Sequence, residues 1–164
     1  MTNPVVTDIA PRHYGEILNI NRDNVEMLSP LNEAELAALL DMAELRKAVM
    51  VDGKTAAFLI ALREGTGYQS VNYRWFSERL GRFLYIDRIA VHEAYRGMAL
   101  GTRLYREALD CARRSGVGTL AAEINIEPEN RPSLLFHQKL GFAEIGRQVI
   151  SGGQKTVSMQ TRAV

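Results

Sequence analysis

The chain has 164 residues, enough for one domain with a real core, and its 46% hydrophobic and 24% charged residues exclude a disordered or fibrous protein. Lys plus Arg total 20 and Asp plus Glu total 19, a balance that argues against nucleic acid or an anionic membrane as the main partner. Residues 1–10 lack a signal-peptide pattern, the longest apolar run (residues 56–62) is far short of the ~20 residues of a membrane span, and the lone Cys111 excludes an intrachain disulfide, so one soluble, cytoplasmic domain over residues 1–164 is expected.

Residues 5–9 are β-rich and predict a first strand. Pro11 opens a helical pattern through residue 24, with Ile17, Leu18 and Ile20 on its apolar side. Ser29-Pro30 interrupts the chain before a second helix over residues 32–43, marked by Leu36, Leu39 and Leu40. Residues 48–51 and 55–63 flank Asp52-Gly53 and read as a hairpin, because Asp-Gly suits the tight turn whose twist matches that of the strands. Residues 65–82 are polar, aromatic and irregular, which suggests a long loop. A strand follows over residues 83–91.

From Leu100 the apolar period becomes 3.6, with Leu100, Leu104, Ala108 and Ala112 in one stripe, joined by Tyr105 and Leu109. This helix ends at Ser115-Gly116, with Arg113 and Arg114 suited to its negative end. Residues 119–126 predict a strand, and Asn130-Arg131-Pro132 opens a helix that Gly141 closes. Two strands, residues 143–150 and 156–161, complete the chain around Ser151-Gly152-Gly153. Strand-helix-strand units imply a parallel centre and hairpins imply antiparallel flanks, an α/β mixed sheet.

The chemistry concentrates where the strand ending Tyr85-Ile86-Asp87-Arg88-Ile89-Ala90-Val91 feeds, through His92 to Tyr95, the loop Arg96-Gly97-Met98-Ala99-Leu100-Gly101 and then a long helix. Such a loop gathers backbone N–H groups at the positive end of a helix, a natural phosphate site, and Arg96 adds a fork of donors. It is not a P-loop, since Thr102-Arg103 follows Gly101 in place of Lys-Ser/Thr. The dinucleotide fingerprint also fails: Glu123 lies near the required spacing, but the three glycines are missing.

With these residues the sequence resembles the GNAT superfamily of N-acetyltransferases. The hallmark of Arg or Gln, two residues, Gly, one residue, then Gly or Ala is met by Arg96, Ala99 and Gly101, with Ala in place of the first Gly. A second hallmark, Asn opening a helix that ends in Leu-Gly-Phe, is met by Asn130, Ser133 and Leu140-Gly141-Phe142. The resemblance implies a central mixed sheet of six to seven strands, with two splayed parallel strands and about four helices. It further implies acetyl-CoA as co-substrate and is compatible with a homodimer. Its pantetheine arm would run along Ile89, Ala90 and Val91, its pyrophosphate on Gly97, Met98, Ala99, Leu100, Gly101 and Thr102, and Asn130 and Ser133 would meet it from the other side.

Attack on a thioester needs a neutral amine, whereas a Lys-like amine of pKa about 10.4 arrives protonated at neutral pH. Asp87, on the strand expected to carry the acetyl group, is the first candidate base; an ion pair with Arg88 is the bland alternative. Glu123 on the neighbouring strand is the second. The resemblance places His137 where many members have a Tyr that protonates the departing thiolate; otherwise it packs or hydrogen-bonds the backbone. Cys111 reads as a packing residue, which excludes a covalent acyl-enzyme, and no His/Cys/carboxylate spacing suggests a metal. By fold analogy, residues 68–82, with Tyr68, Tyr73, Trp75, Phe76, Arg74 and Arg79, border the acceptor, or else seal the core. The first two helices, with Asn21 and Asn24, form the opposite wall. The acceptor expected is a small primary amine. The alternatives are a weakly catalytic acyl-CoA-binding regulatory module, or transfer to a protein N-terminus or a hydroxyl.

Overall fold

A computed structural model describes residues 3–164. Seven strands and five α-helices run along the described residues: β1 (Val5–Asp8), α1 (Tyr14–Asp23), α2 (Glu33–Met42), β2 (Leu45–Val51), β3 (Lys54–Arg63), α3 (Val71–Ser77), β4 (Leu84–Val91), α4 (Leu100–Arg114), β5 (Thr119–Glu127), α5 (Arg131–Lys139), β6 (Ala143–Ile150) and β7 (Lys155–Ala163). The strands form one mixed sheet in the order β1-β2-β3-β4-β5-β7-β6. The parallel pair is β4 with β5, and its ladder covers only Leu84↔Leu120 and Tyr85↔Ala121. This is the mixed-sheet architecture expected from the sequence. The chain packs as two compact units, Met1–Leu62 with Ile86–Cys111, and Arg63–Tyr85 with Ala112–Val164.

In the first unit, β3 is buried on both faces from Ala56 to Leu62, as an interior strand must be. The turn before it has Asp52 and Gly53 at φ 52° and 77°, the doubly positive conformation of a tight hairpin. A reciprocal cap starts α2: Glu35 N–H donates to Asn32 Oδ1 at 2.8 Å and Asn32 N–H to Glu35 Oε1 at 3.1 Å. Glu16 ties α1 to β3 by accepting from both the N–H and the hydroxyl of Thr55.

In the second unit, the segment expected as a continuous loop holds α3. Ser70 Oγ accepts from Tyr73 N–H at 3.2 Å to start it, and Tyr73 and Phe76, one turn apart, are buried against Phe83 and Tyr85. A seven-residue helix has too few turns to show a period and is made stable by tertiary packing. Tyr73 Oη also donates to the Arg63 carbonyl at 2.6 Å. Helices α4 and α5 end in the same way. Gly116 (φ 67°) donates to Arg113 O and Val117 to Ala112 O; Gly141 (φ 91°) donates to Gln138 O and Phe142 to His137 O. These paired bonds satisfy the last helical carbonyls and require a left-handed residue, which explains Leu140-Gly141-Phe142 physically.

Candidate active site

The first unit presents the loop expected from the sequence to bind an anion. Ile89, Ala90 and Val91 end β4, beyond the two residues of that strand that pair with β5. A short turn, Glu93–Tyr95, is capped by His92, whose Nδ1 accepts from Ala94 N–H at 3.0 Å. The chain then reverses through Gly97 and Ala99, at φ 85° and 57°. The first helical bond of α4 runs from Arg103 N–H to Ala99 O at 3.1 Å, so the N–H groups of Leu100, Gly101 and Thr102 have no partner inside the helix. Arg96, Gly97, Met98 and Ala99 are exposed, while Leu100 is buried and anchors the helix. Convergent amides at a helix start, with a guanidinium beside them, are a donor set that fits a diphosphate.

Ala99 holds a left-handed conformation (φ 57°) that a glycine would adopt without strain. An alanine there costs about 1–2 kcal/mol, against about 0.5–1 kcal/mol of extra unfolded-state freedom for glycine. Ala99→Gly is therefore expected to stabilise the fold by about 0.5–1 kcal/mol, raising the melting temperature by a few degrees in calorimetry.

Asp87 and Arg88, also in this unit, form a buried ion pair, Nε to Oδ2 at 2.8 Å, with side chains 5% and 3% exposed. The guanidinium continues to Asn21 Oδ1 at 2.9 Å, Ser29 O at 3.1 Å and Ser29 Oγ at 2.9 Å. Asn21 closes the network by donating to Ser29 O, and Asn24 Nδ2 donates to Ile20 O at the end of α1. The two asparagines thus have defined structural duties, and the charge of Asp87 is balanced by Arg88.

Glu123 lies in the second unit. Its Oε1 accepts from Tyr85 Oη at 2.8 Å, and Tyr85 is fully buried. Tyr85 was not singled out in the sequence: it reads as one more apolar residue entering β4, and only the parallel register with β5 brings it to Glu123. In the same unit Asn130 caps α5 by accepting from Ser133 N–H at 3.4 Å. Ser133 O lies 2.8 Å from Nδ1 of the buried His137, a contact that places the proton on Nδ1, and Ser133 Oγ lies 3.2 Å from the same nitrogen. Burial pushes the His137 pKa below its ordinary value, partly opposed by the Ser133 carbonyl. The proton-donating role needs the imidazolium, and burial opposes that form.

His13 shares this trend, held low by burial and then by Arg12, and its Nδ1 accepts from Ala10 N–H at 2.9 Å. Both histidines are depressed in the folded state, so their contribution to stability is whole above the ordinary value of about 6.5 and lost as pH falls through the lower folded values. Melting temperature should fall between about pH 7 and pH 5, and His137→Gln should flatten that slope.

In the segment of residues 68–82, Tyr73 and Phe76 are core residues, while Trp75 is half-buried with Arg79 stacked 3.9 Å from its centroid. Cys111 is buried in α4. Among the described residues, no group of three or more His, Cys, Asp or Glu side chains is placed to hold a metal, and no helix is long and apolar enough to cross a membrane.

Comparison with known proteins bears on the family and the fold. The model of the Acetyltransferase (GNAT) family matches residues 18–142. An L-methionine sulfoximine/L-methionine sulfone acetyltransferase from Salmonella typhimurium strain LT2 is 36% identical over 77 residues, 47% of this chain and 43% of that protein, so the match spans less than half of that relative. Among solved structures, the fold is similar to Ard1 from Thermoplasma volcanium (15% identity, TM-score 0.79, 98% of this chain and 97% of that one). It is also similar to Arabidopsis thaliana Naa50 in complex with the bisubstrate analogue CoA-Ac-MVNAL (15% identity, TM-score 0.74, 98% and 99%).

Proposed function

Because this chain belongs to the acetyltransferase (GNAT) family, we propose that it transfers an acetyl group from acetyl-CoA directly to a primary amine, of a small molecule in the first instance. The loop from Arg96 to Thr102 carries the cofactor part of this reading: its positive-φ turns and the uncommitted amides of α4 suit a pyrophosphate. Ile89, Ala90 and Val91 are proposed to pair with the pantetheine arm, with Asn130 and Ser133 at the start of α5 as further contacts. Bound acetyl-CoA supplies an activated thioester, and the protein supplies binding, orientation and a place for the amine's proton.

Glu123 is the proposed base. Its carboxylate is steadied by a neutral hydroxyl donor, whereas Asp87 faces a guanidinium that also holds the segment around Ser29. Asp87 is proposed to organise the site through Arg88. A thiol of pKa about 8.5 departs readily as thiolate, so the reaction does not depend on an acid, and His137 is proposed to pack and orient α5. The buried Cys111 supports direct transfer without an acyl-enzyme. The small-molecule acceptor rests on the amino-acid analogues named for the Salmonella relative. A protein N-terminus is the second reading, favoured by the fold shared with the peptide-analogue complex.

The test is release of free thiol from acetyl-CoA with a panel of amino acids, polyamines and short peptides, with products identified by mass. Acetylated amine and intersecting double-reciprocal plots are expected. Acetyl trapped on the protein by acetyl-CoA alone, with parallel plots, would overturn direct transfer.

A further inference from the structure

We propose that Tyr85 is a positioning residue for Glu123, holding the carboxylate in place and in its charged form; this rests on the reading of Glu123 as base. Tyr85 touches no reacting atom and acts through the carboxylate alone. The register of the parallel pair sets the contact. Tyr85 stands beside Ala121 at the end of the short ladder between β4 and β5. Glu123 lies two residues further along β5, on the same side of the strand and about 6.6 Å beyond Ala121. A phenol is long enough to cross that offset, and Tyr85 Oη donates to Glu123 Oε1 at 2.8 Å. A phenylalanine at position 85 would fill nearly the same volume and remove this donor.

The ring that carries this hydroxyl has little freedom. Tyr85 is completely buried, and two rings of α3 pack on it, Tyr73 at 5.6 Å and Phe76 at 5.8 Å between centroids. Tyr73 is held in turn: its Oη donates to the Arg63 carbonyl at 2.6 Å, and its ring meets Phe83 at 5.8 Å. A donor on so fixed a ring restricts the carboxylate oxygen that accepts from it, which is how a supporting residue orients a reactive group.

Donation to a carboxylate also favours its ionised form, the form able to take a proton, whereas burial favours the neutral acid. Asn125 of β5, Met159 of β7, and Gly146 and Gln148 of β6 share the face of Glu123 and carry no charge. Helix α3 adds Tyr73 as the titratable group beside Tyr85, while Arg74 and the following Glu78 and Arg79 are exposed. Beyond this unit β4 continues to Asp87 and Arg88, whose charges answer each other. An ammonium proton that passes to Glu123 leaves a neutral amine and a carboxylic acid. Tyr85 is thus placed to set the pH below which that transfer stops.

The experiment compares wild type, Tyr85→Phe, Glu123→Gln and the double variant, with the amine that turns over fastest among the amino acids, polyamines and short peptides above. Tyr85→Phe should move the acid limb of the kcat/KM profile up by about one pH unit, because the lost donor favoured the charged carboxylate. Acetyl-CoA affinity in calorimetry should be unchanged. Site-specific 3-fluorotyrosine at position 85, a more acidic donor of nearly the same shape, should move the limb down. Adding Tyr85→Phe to Glu123→Gln should alter the residual rate by less than about threefold, since the hydroxyl acts through the carboxylate. Carbon-13 NMR of the glutamate carboxyl groups, with the Glu123 signal assigned by its loss in Glu123→Gln, should show the same displacement without turnover. An acid limb and a carboxyl titration that stay put in both Tyr85→Phe and the fluorinated protein would overturn the proposal, whatever the rate. A Tyr85→Phe loss that adds in full to that of Glu123→Gln would do the same. If Glu123→Gln keeps the wild-type kcat, the base assignment falls and this inference with it. A wild type that binds no acetyl-CoA overturns the acetyl-transfer reading instead, and the carboxyl titration still reads the hold of Tyr85 on Glu123.

Discussion

Arg96→Ala combined with Gly101→Glu should weaken acetyl-CoA binding by roughly 10²–10⁴-fold in calorimetry while leaving the protein folded. Hydrogen bonds to charged groups contribute about 1.5–3 kcal/mol each, and about 1.4 kcal/mol is tenfold in affinity. Removing Arg96 deletes one such donor, and a carboxylate at position 101 stands where the pyrophosphate charge is proposed to sit. The fold should tolerate both changes. Arg96 is exposed, and Glu near a helix N-terminus complements the dipole, so melting temperature should hold or rise. Retained micromolar affinity would move the cofactor away from this loop. Loss of affinity with an intact melt would locate it there.

Glu123→Gln should lower kcat by about 10²–10⁴-fold, the usual worth of a general base, with acetyl-CoA affinity unchanged. The residual rate should climb with pH, because an amine of pKa about 10.4 gains about tenfold in its neutral form per pH unit in the range from about 7 to 9. Asp87→Asn should behave differently. It leaves the guanidinium of Arg88 buried without its carboxylate, a defect worth about 3–5 kcal/mol, so its first effect is on the melting temperature. If Asp87→Asn melts normally and loses kcat while Glu123→Gln keeps it, the base assignment is reversed.

These predictions use different depths of the sequence. The loop proposed to hold phosphate was legible because its elements are local: a strand, a small-residue turn with an arginine, and an apolar stripe of Leu100, Leu104 and Ala108 that is buried as the period implies. Helix endings were legible for the same reason, since Gly116 and Gly141 answer a backbone requirement within one turn. Helix α3 was hidden, because Tyr73 and Phe76 become helical through packing on Phe83 and Tyr85 rather than through any period of their own.

The candidate carboxylates were legible as residues but not as roles. Asp87 and Glu123 sit on neighbouring strands in apolar contexts and look alike in one dimension. The pairing of Asp87 with its neighbour Arg88 was one of the readings offered, but the groups that complete each site come from far along the chain: Arg88 engages Asn21 and Ser29, and Tyr85 reaches Glu123 across 38 positions. The sequence by itself determined the elements other than α3, the small-residue turn before α4, the capped helices and the list of candidate proton-moving groups, because those depend on interactions within a few residues. Only the tertiary structure decided that Arg88 also meets Asn21 and Ser29 and that Glu123 meets a tyrosine, because packing and strand register join residues whose separation along the chain leaves no local trace.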